Sequence, residues 1–151
     1  MTGARNVKTG FALLALSLLG GLAMSLYAFV PMIQVPVSLD EVDDLSRRLF
    51  RLAHIAAVML PLLNIVVGFT LDRLRLSRGW KELTSVLLLA GAVGLPLALA
   101  AQGFSPLARE WHIAGPPAVA MTLGVVLAAA GALRTPADEL LGARRRIQPL
   151  P

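Results

Sequence analysis

The chain contains no cysteine, which removes disulfides, thiolate zinc sites, cysteine-ligated iron–sulfur clusters and covalent haem attachment together. Charge is scarce as well. Only 15% of the residues are charged, whereas a soluble domain carries about 25% because its surface must face water. Histidine occurs twice, at His54 and His112, so any metal or cofactor has few side chains to hold it. Also missing are the G-x-S-x-G elbow, the H-E-x-x-H pair, the Walker loop and G-x-G-x-x-G, which removes the usual signatures of hydrolases and nucleotide enzymes.

What is present is hydrophobic: 56% of 151 residues, with a mean hydropathy of +0.72. Disorder requires the opposite composition. An all-α integral membrane protein follows. Four stretches reach the roughly 20 apolar residues that a helix needs to cross about 30 Å of hydrocarbon. They run over about 11–30, 49–71, 83–101 and 113–133, with an interfacial tail at 134–151. With so few spans only helices satisfy the backbone in lipid, and an antiparallel four-helix bundle forming one domain is expected.

Lys and Arg set the orientation. Arg5, Lys8, Arg73, Arg75, Arg78, Lys81, Arg134, Arg144, Arg145 and Arg146 fall on one side, against Arg47, Arg48, Arg51 and Arg109 on the other. Both termini are therefore expected in the cytoplasm, with a bacterial inner membrane as the natural setting. The net charge of +5 and pI near 11.1 then read as topology signals and contacts to anionic lipid, not as a nucleic-acid surface.

Small residues recur every four positions: Ser17, Gly21 and Ser25 in the first span, Ala90, Gly94 and Ala98 in the third, and Ala120, Gly124, Ala128 and Ala132 in the fourth. Such rows let membrane helices approach closely. In the first connection Ser38 and Glu41 fit a capping box, and Asp40, Glu41, Asp43 and Asp44 crowd the start of a short interfacial helix. That acidic loop is also a candidate dock for a soluble electron carrier. In the tail, Thr135, Pro136, Asp138 and Glu139 open a second interfacial helix that ends in Arg144 to Arg146.

The histidines are the candidate site. His54 lies one or two turns into the second span and His112 at the start of the fourth, so the two imidazoles are expected at similar depth. A histidine pair on two helices of a bundle can hold one b-type haem iron. Arg47 and Arg51 lie within about 60° of His54 on the helical wheel and could pair with haem propionates. The alternatives are structural histidines bonded to neighbouring carbonyls, or a quinone or pigment contact. Pro116 and Pro117 free the carbonyls of His112 and Ile113 for such bonds. Deeper in the membrane, Pro61 frees the carbonyl of Ala57, Pro96 frees that of Ala92, and Asn64 is expected to bond between helices.

The segment Leu49 to Gly68, with Arg51-x-x-His54 at its start and Asn64-x-x-x-Gly68 at its end, loosely resembles haem-bearing helices of small b-type cytochromes. Together these readings predict a small non-catalytic subunit of a respiratory or photosynthetic electron-transfer complex, held among other membrane subunits. The competing expectations are a structural accessory subunit without cofactor, and a small transporter or quinone- or lipid-binding protein.

Overall fold

Backbone amides have no water to bond to in hydrocarbon, so the apolar stretches close their hydrogen bonds internally as helices. The computed structural model describes residues 2–29 and 44–140 and is all-helical over them. In chain order they form α1 (Thr2–Phe29), α2 (Asp44–Leu71), α3 (Arg78–Phe104), α4 (Pro106–Glu110), α5 (Gly115–Leu133) and α6 (Ala137–Leu140). Among the described residues, three helices are long and apolar enough to cross a membrane, and they belong to α2, α3 and α5. The capping box at Ser38–Glu41, the acids at 40–43, Ser25's side chain and Arg144–Arg146 lie outside what is described.

The helices extend past the apolar windows, because helical hydrogen bonding continues into the polar interface. α1 starts at Thr2, not near Phe11. Its first amides are capped in trans: Thr2 N and Gly3 N donate to Asp72 Oδ1 at 3.1 and 3.3 Å, a carboxylate placed where the helix dipole favours it. The opposite correction applies to the last long helix, which begins at Gly115 rather than Ile113. His112 therefore sits in the turn before α5, in left-handed backbone with φ 46°. Its carbonyl accepts Gly115 N at 2.8 Å, so Pro116 does not leave it open.

Left-handed backbone costs an L-residue about 1–2 kcal/mol. Replacing His112 by glycine should therefore raise thermal stability by about 1 kcal/mol, after the greater freedom of the unfolded glycine is subtracted. Thermal unfolding in detergent reads this directly, and a loss of stability would show that the imidazole makes a compensating contact.

Consecutive helices pack as antiparallel neighbours: α1 on α2, α2 on α3, α3 on α5, with a slighter α1–α3 contact. The α1–α2 seam is a line of close approaches. A Cβ on Gly3 would collide with Gly68 O, one on Gly10 would lie 2.9 Å from Pro61 O, and one on Gly21 2.8 Å from His54 Cε1. Gly3, Gly10 and Ser17 are seven apart, the spacing that keeps one face toward a partner helix. The same logic shifts the row expected on α3. Ala90 is exposed, whereas Gly91 is buried and meets Met121, and Gly94 meets Pro117. Steps of four drift about 40° each around a helix. The α5 face instead alternates steps of four and three through Pro117, Met121, Gly124, Ala128 and Gly131, with Gly124 against Leu88.

The end carrying Thr2 also gathers the α2–α3 turn and the start of the tail. Leu71, Leu74 and Ala128 form a buried cluster. Thr135 is not the helix cap expected of it. Its hydroxyl accepts Arg75 N at 2.8 Å and donates to Gly131 O, joining the turn to the end of α5. Arg75 adds a two-pronged bond to Glu139, at 2.9 and 3.2 Å. That carboxylate holds the guanidinium above its already high ordinary pKa.

Candidate functional site

Two polar or open features lie where α1, α2 and α3 meet. The first is a buried chain of side-chain hydrogen bonds. Asn6, Asn64, Thr84 and Ser85 have no exposed surface. Asn6 Nδ2 donates to Asn64 Oδ1 at 2.9 Å, and Asn64 Nδ2 donates across to Leu88 O at 3.2 Å and along its own helix to Leu60 O at 3.1 Å. Ser85 Oγ donates to Asn6 Oδ1 and accepts Arg5 Nη2, the latter at 2.9 Å. Three helices are thereby tied at one depth, with no buried side-chain polar atom left unpaired among the described residues.

The second feature lies above that chain, away from Thr2: a cavity of about 250 Å³ in the middle third of the same helices. Leu13, Leu16 and Ser17 form one wall, Ala57 and Pro61 the back, and Ala92, Val93, Pro96 and Leu97 the other wall. The two prolines are why it exists. Each ring takes the place of a helix N–H and pushes on the preceding turn. Pro61 removes the donor that Ala57 O would have had, and Ser17 Oγ supplies one instead at 2.6 Å, while also lying 2.8 Å from Leu13 O. Pro96 likewise has no N–H to give to Ala92 O. The site is apolar with one hydroxyl, and it is smaller than the roughly 300–1,000 Å³ typical of drug-sized ligands. A single-ring organic molecule suits it.

The expected histidine pair is not brought together. His54 is on α2 with its ring against Gly21 of α1, and His112 is in the exposed turn before α5. α2 and α5 are not among the principal packed pairs, since α3 lies between them. Arg47 and Arg51 are exposed near the start of α2. No group of three or more His, Asp or Glu that could hold a metal ion occurs among the described residues.

Asn6 and Ser85 escaped the sequence reading. Asn6 precedes the apolar window of its helix, so it looked like tail. The available signal was its position three residues after Gly3 and four before Gly10, on the small-residue face. At the opposite end, Arg109 Nε donates to Gln102 O at 2.8 Å and its Nη2 to Ser46 Oγ. Phe50 stacks edge-on against Phe104 with centroids 4.6 Å apart. These contacts hold α2 and α3 together where the chain turns into α4.

Residues 3–137 match the family model of styrene oxide isomerase. No curated protein and no solved structure matches the chain. The three apolar helices and this membrane enzyme family make the chain an integral membrane protein. The same match overturns the expected non-catalytic electron-transfer subunit, the haem as an electron carrier and the accessory-subunit reading. The histidines in apolar surroundings suggested redox work, but an isomerisation exchanges no electrons with a partner.

Proposed function

Because the chain belongs to the styrene oxide isomerase family, we propose that it converts styrene oxide, or a closely similar aryl epoxide, into its carbonyl isomer in the cavity between α1, α2 and α3. The observation that carries this reading is the cavity itself: single-ring in size, nearly all apolar, and at mid-depth. The benzylic C–O bond breaks with its electron pair going to oxygen. A hydride migrates with its pair from the terminal carbon to the benzylic carbon, and an oxygen lone pair closes the C=O bond. The product is phenylacetaldehyde, with no atom gained or lost.

A dry site decides the outcome of that chemistry. Water reaching the benzylic cation would capture it as a diol, so an isomerase must exclude water where a hydrolase must admit it. The cavity's walls offer only the Ser17 hydroxyl as a side-chain polar group, and it points at Ala57 O and Leu13 O. The carbonyls of Ala57 and Ala92 border the site, and their negative ends favour positive charge developing on the benzylic carbon.

The opening bond also needs an electrophile on the epoxide oxygen. We propose that His54 would hold a b-type haem, which would supply Lewis acidity to the epoxide oxygen when bound. In support, His54 is an exposed residue one turn from Ala57 on α2, and its ring fills the space that the missing side chain of Gly21 leaves. Within this chain the ligand would be His54 without His112. We further propose that α1 is a fourth span and that both termini face the cytoplasm among anionic lipids. Asp72 against Thr2 and Glu139 against Arg75 support a common end for the two termini, and the Lys and Arg count favours the cytoplasm.

Purified protein supplied with styrene oxide should yield the aldehyde without diol. Its absorption spectrum should contain a Soret band that His54→Ala removes and His112→Ala retains. A diol product would overturn the isomerase reading, and a band that survives His54→Ala would overturn the haem assignment.

A further inference from the structure

Two cavities lie in line between α1 and α3. Beyond the apolar one, at the Thr2 end, is a polar recess of about 260 Å³ lined by Thr2, Arg5, Glu82 and Val86. Arg5 and Glu82 are exposed, so the recess is open to water. On α1, Arg5 belongs to the recess and Leu13 to the apolar cavity, a separation of about 12 Å at the helical rise. The partition between them is the buried hydrogen-bonded chain. Arg5 Nη2 donates to Ser85 Oγ from the wet side at 2.9 Å, Ser85 Oγ donates to Asn6 Oδ1, and Asn6 Nδ2 donates to Asn64 Oδ1 at 2.9 Å. These bonds join α3, α1 and α2 in turn, so the partition spans all three helices at one level.

We propose that this chain of side chains is a seal that stops water at the Thr2 end from reaching the cavity, and that Asn6, at its centre, thereby decides the product. The inference rests on the cavity being the epoxide site. A water held inside a protein needs about 10–15 Å³ of room and two to four polar partners. The seal denies both: Asn6, Asn64 and Ser85 have no exposed surface, and each already bonds to a neighbour. Shortening Asn6 opens a gap lined by Asn64 Oδ1 and Ser85 Oγ, each then short of a partner. Such a gap suits water. A molecule arriving through it would bond by its oxygen to the benzylic carbon as the epoxide C–O bond breaks; its proton passes to the released oxygen, and a diol results. Leucine at position 6 breaks the same hydrogen bonds but leaves no room. Filled volume, not bonding, separates the two variants.

The cysteine-free sequence allows a single thiol to serve as the probe. Leu13→Cys places it in the cavity wall. Methyl methanethiosulfonate is small, neutral and soluble in both water and lipid, so it arrives by any route. It reacts only with the thiolate, which apolar surroundings suppress and water permits. Mass spectrometry of the intact chain in phosphatidylcholine vesicles follows the reaction. The rate should be low in the Leu13→Cys chain, at least about tenfold higher with Asn6→Ala added, and unchanged with Asn6→Leu added. Without the cysteine, styrene oxide in heavy-oxygen water should give aldehyde alone from the parent chain and from Asn6→Leu. Asn6→Ala should add a diol carrying heavy oxygen at the benzylic carbon. Asn6→Ser, which leaves nearly the same gap, repeats both measurements where the alanine variant fails to fold.

A thiol that reacts fast with Asn6 intact would overturn the proposal, because the cavity would already be wet. Equal rates with alanine and leucine at position 6 would overturn it by reducing Asn6 to a structural contact. A fast thiol with aldehyde still the sole product would overturn the link from seal to product. If the parent chain turns over no styrene oxide, the isomerase reading fails by itself, and the thiol rates alone decide whether the seal exists.

Discussion

Gly10→Leu should destabilise the protein by at least about 3 kcal/mol and abolish turnover. A Cβ alone at position 10 would lie 2.7 Å from Ile65 Cγ1 and 2.9 Å from Pro61 O, and a backbone carbonyl cannot swing aside as a side-chain tip can. The helices must separate. Overpacking of this kind costs about 1–3 kcal/mol, and separation also stretches the Asn6–Asn64 bond one turn below and the Ser17–Ala57 bond two turns above. Each buried group left without its partner adds about 1–3 kcal/mol. Gly20→Leu is the control, since a Cβ there meets nothing within 4 Å; it should be near neutral. Unfolding in detergent micelles measures both, and equal stability of the two variants would refute the close seam.

Asn64→Leu should cost about 2 kcal/mol, and the cost should not be its own. Leucine removes the acceptor for Asn6 Nδ2 and the donor to Leu88 O, leaving a buried amide and a carbonyl between helices. Interhelical hydrogen bonds in membranes average only about 0.6 kcal/mol, with a maximum near 1.7, because separated helices find other partners. The larger figure applies here because one side chain serves α1 and α3 together. A double-mutant cycle with Asn6→Leu should give a coupling of about 1 kcal/mol, so the double variant loses less than the two single losses combined. Additive losses would show that the two amides act independently.

Those two sites show how far the sequence could be read. Composition and apolar length are local properties, so an all-helical membrane protein follows from residues such as Leu83–Ala101 taken alone. Asn64 attracted notice for the same reason: an amide within an apolar run is visible without a partner. Its partners were not visible. Which face of α1 meets α2 depends on registers between helices far apart in the chain, and Asn6 sits outside the window in which its helix looks hydrophobic.

The cavity was half legible. Pro61, Pro96 and the freed carbonyls of Ala57 and Ala92 could be read off, but Ser17 as the donor to Ala57 O required the fold. The chemistry was misread for a related reason. Two histidines were the conspicuous polar side chains of a cysteine-free chain, and spacing along the chain placed them at one depth. It could not show that α3 stands between their helices. An apolar pocket that works by excluding water carries no motif of reactive residues, so nothing in the residue pattern announced an isomerase.

The central claim is a rearrangement in a dry, mid-membrane cavity. Its most direct measurement is product analysis of styrene oxide turned over by the purified protein in D2O, with immediate borohydride reduction to fix the aldehyde before it exchanges. The account predicts 2-phenylethanol as the trapped product, with no deuterium at the benzylic carbon and no diol, because the migrating hydride never leaves the substrate. Deuterium at that carbon from the enzymatic step, or formation of the diol, would contradict it.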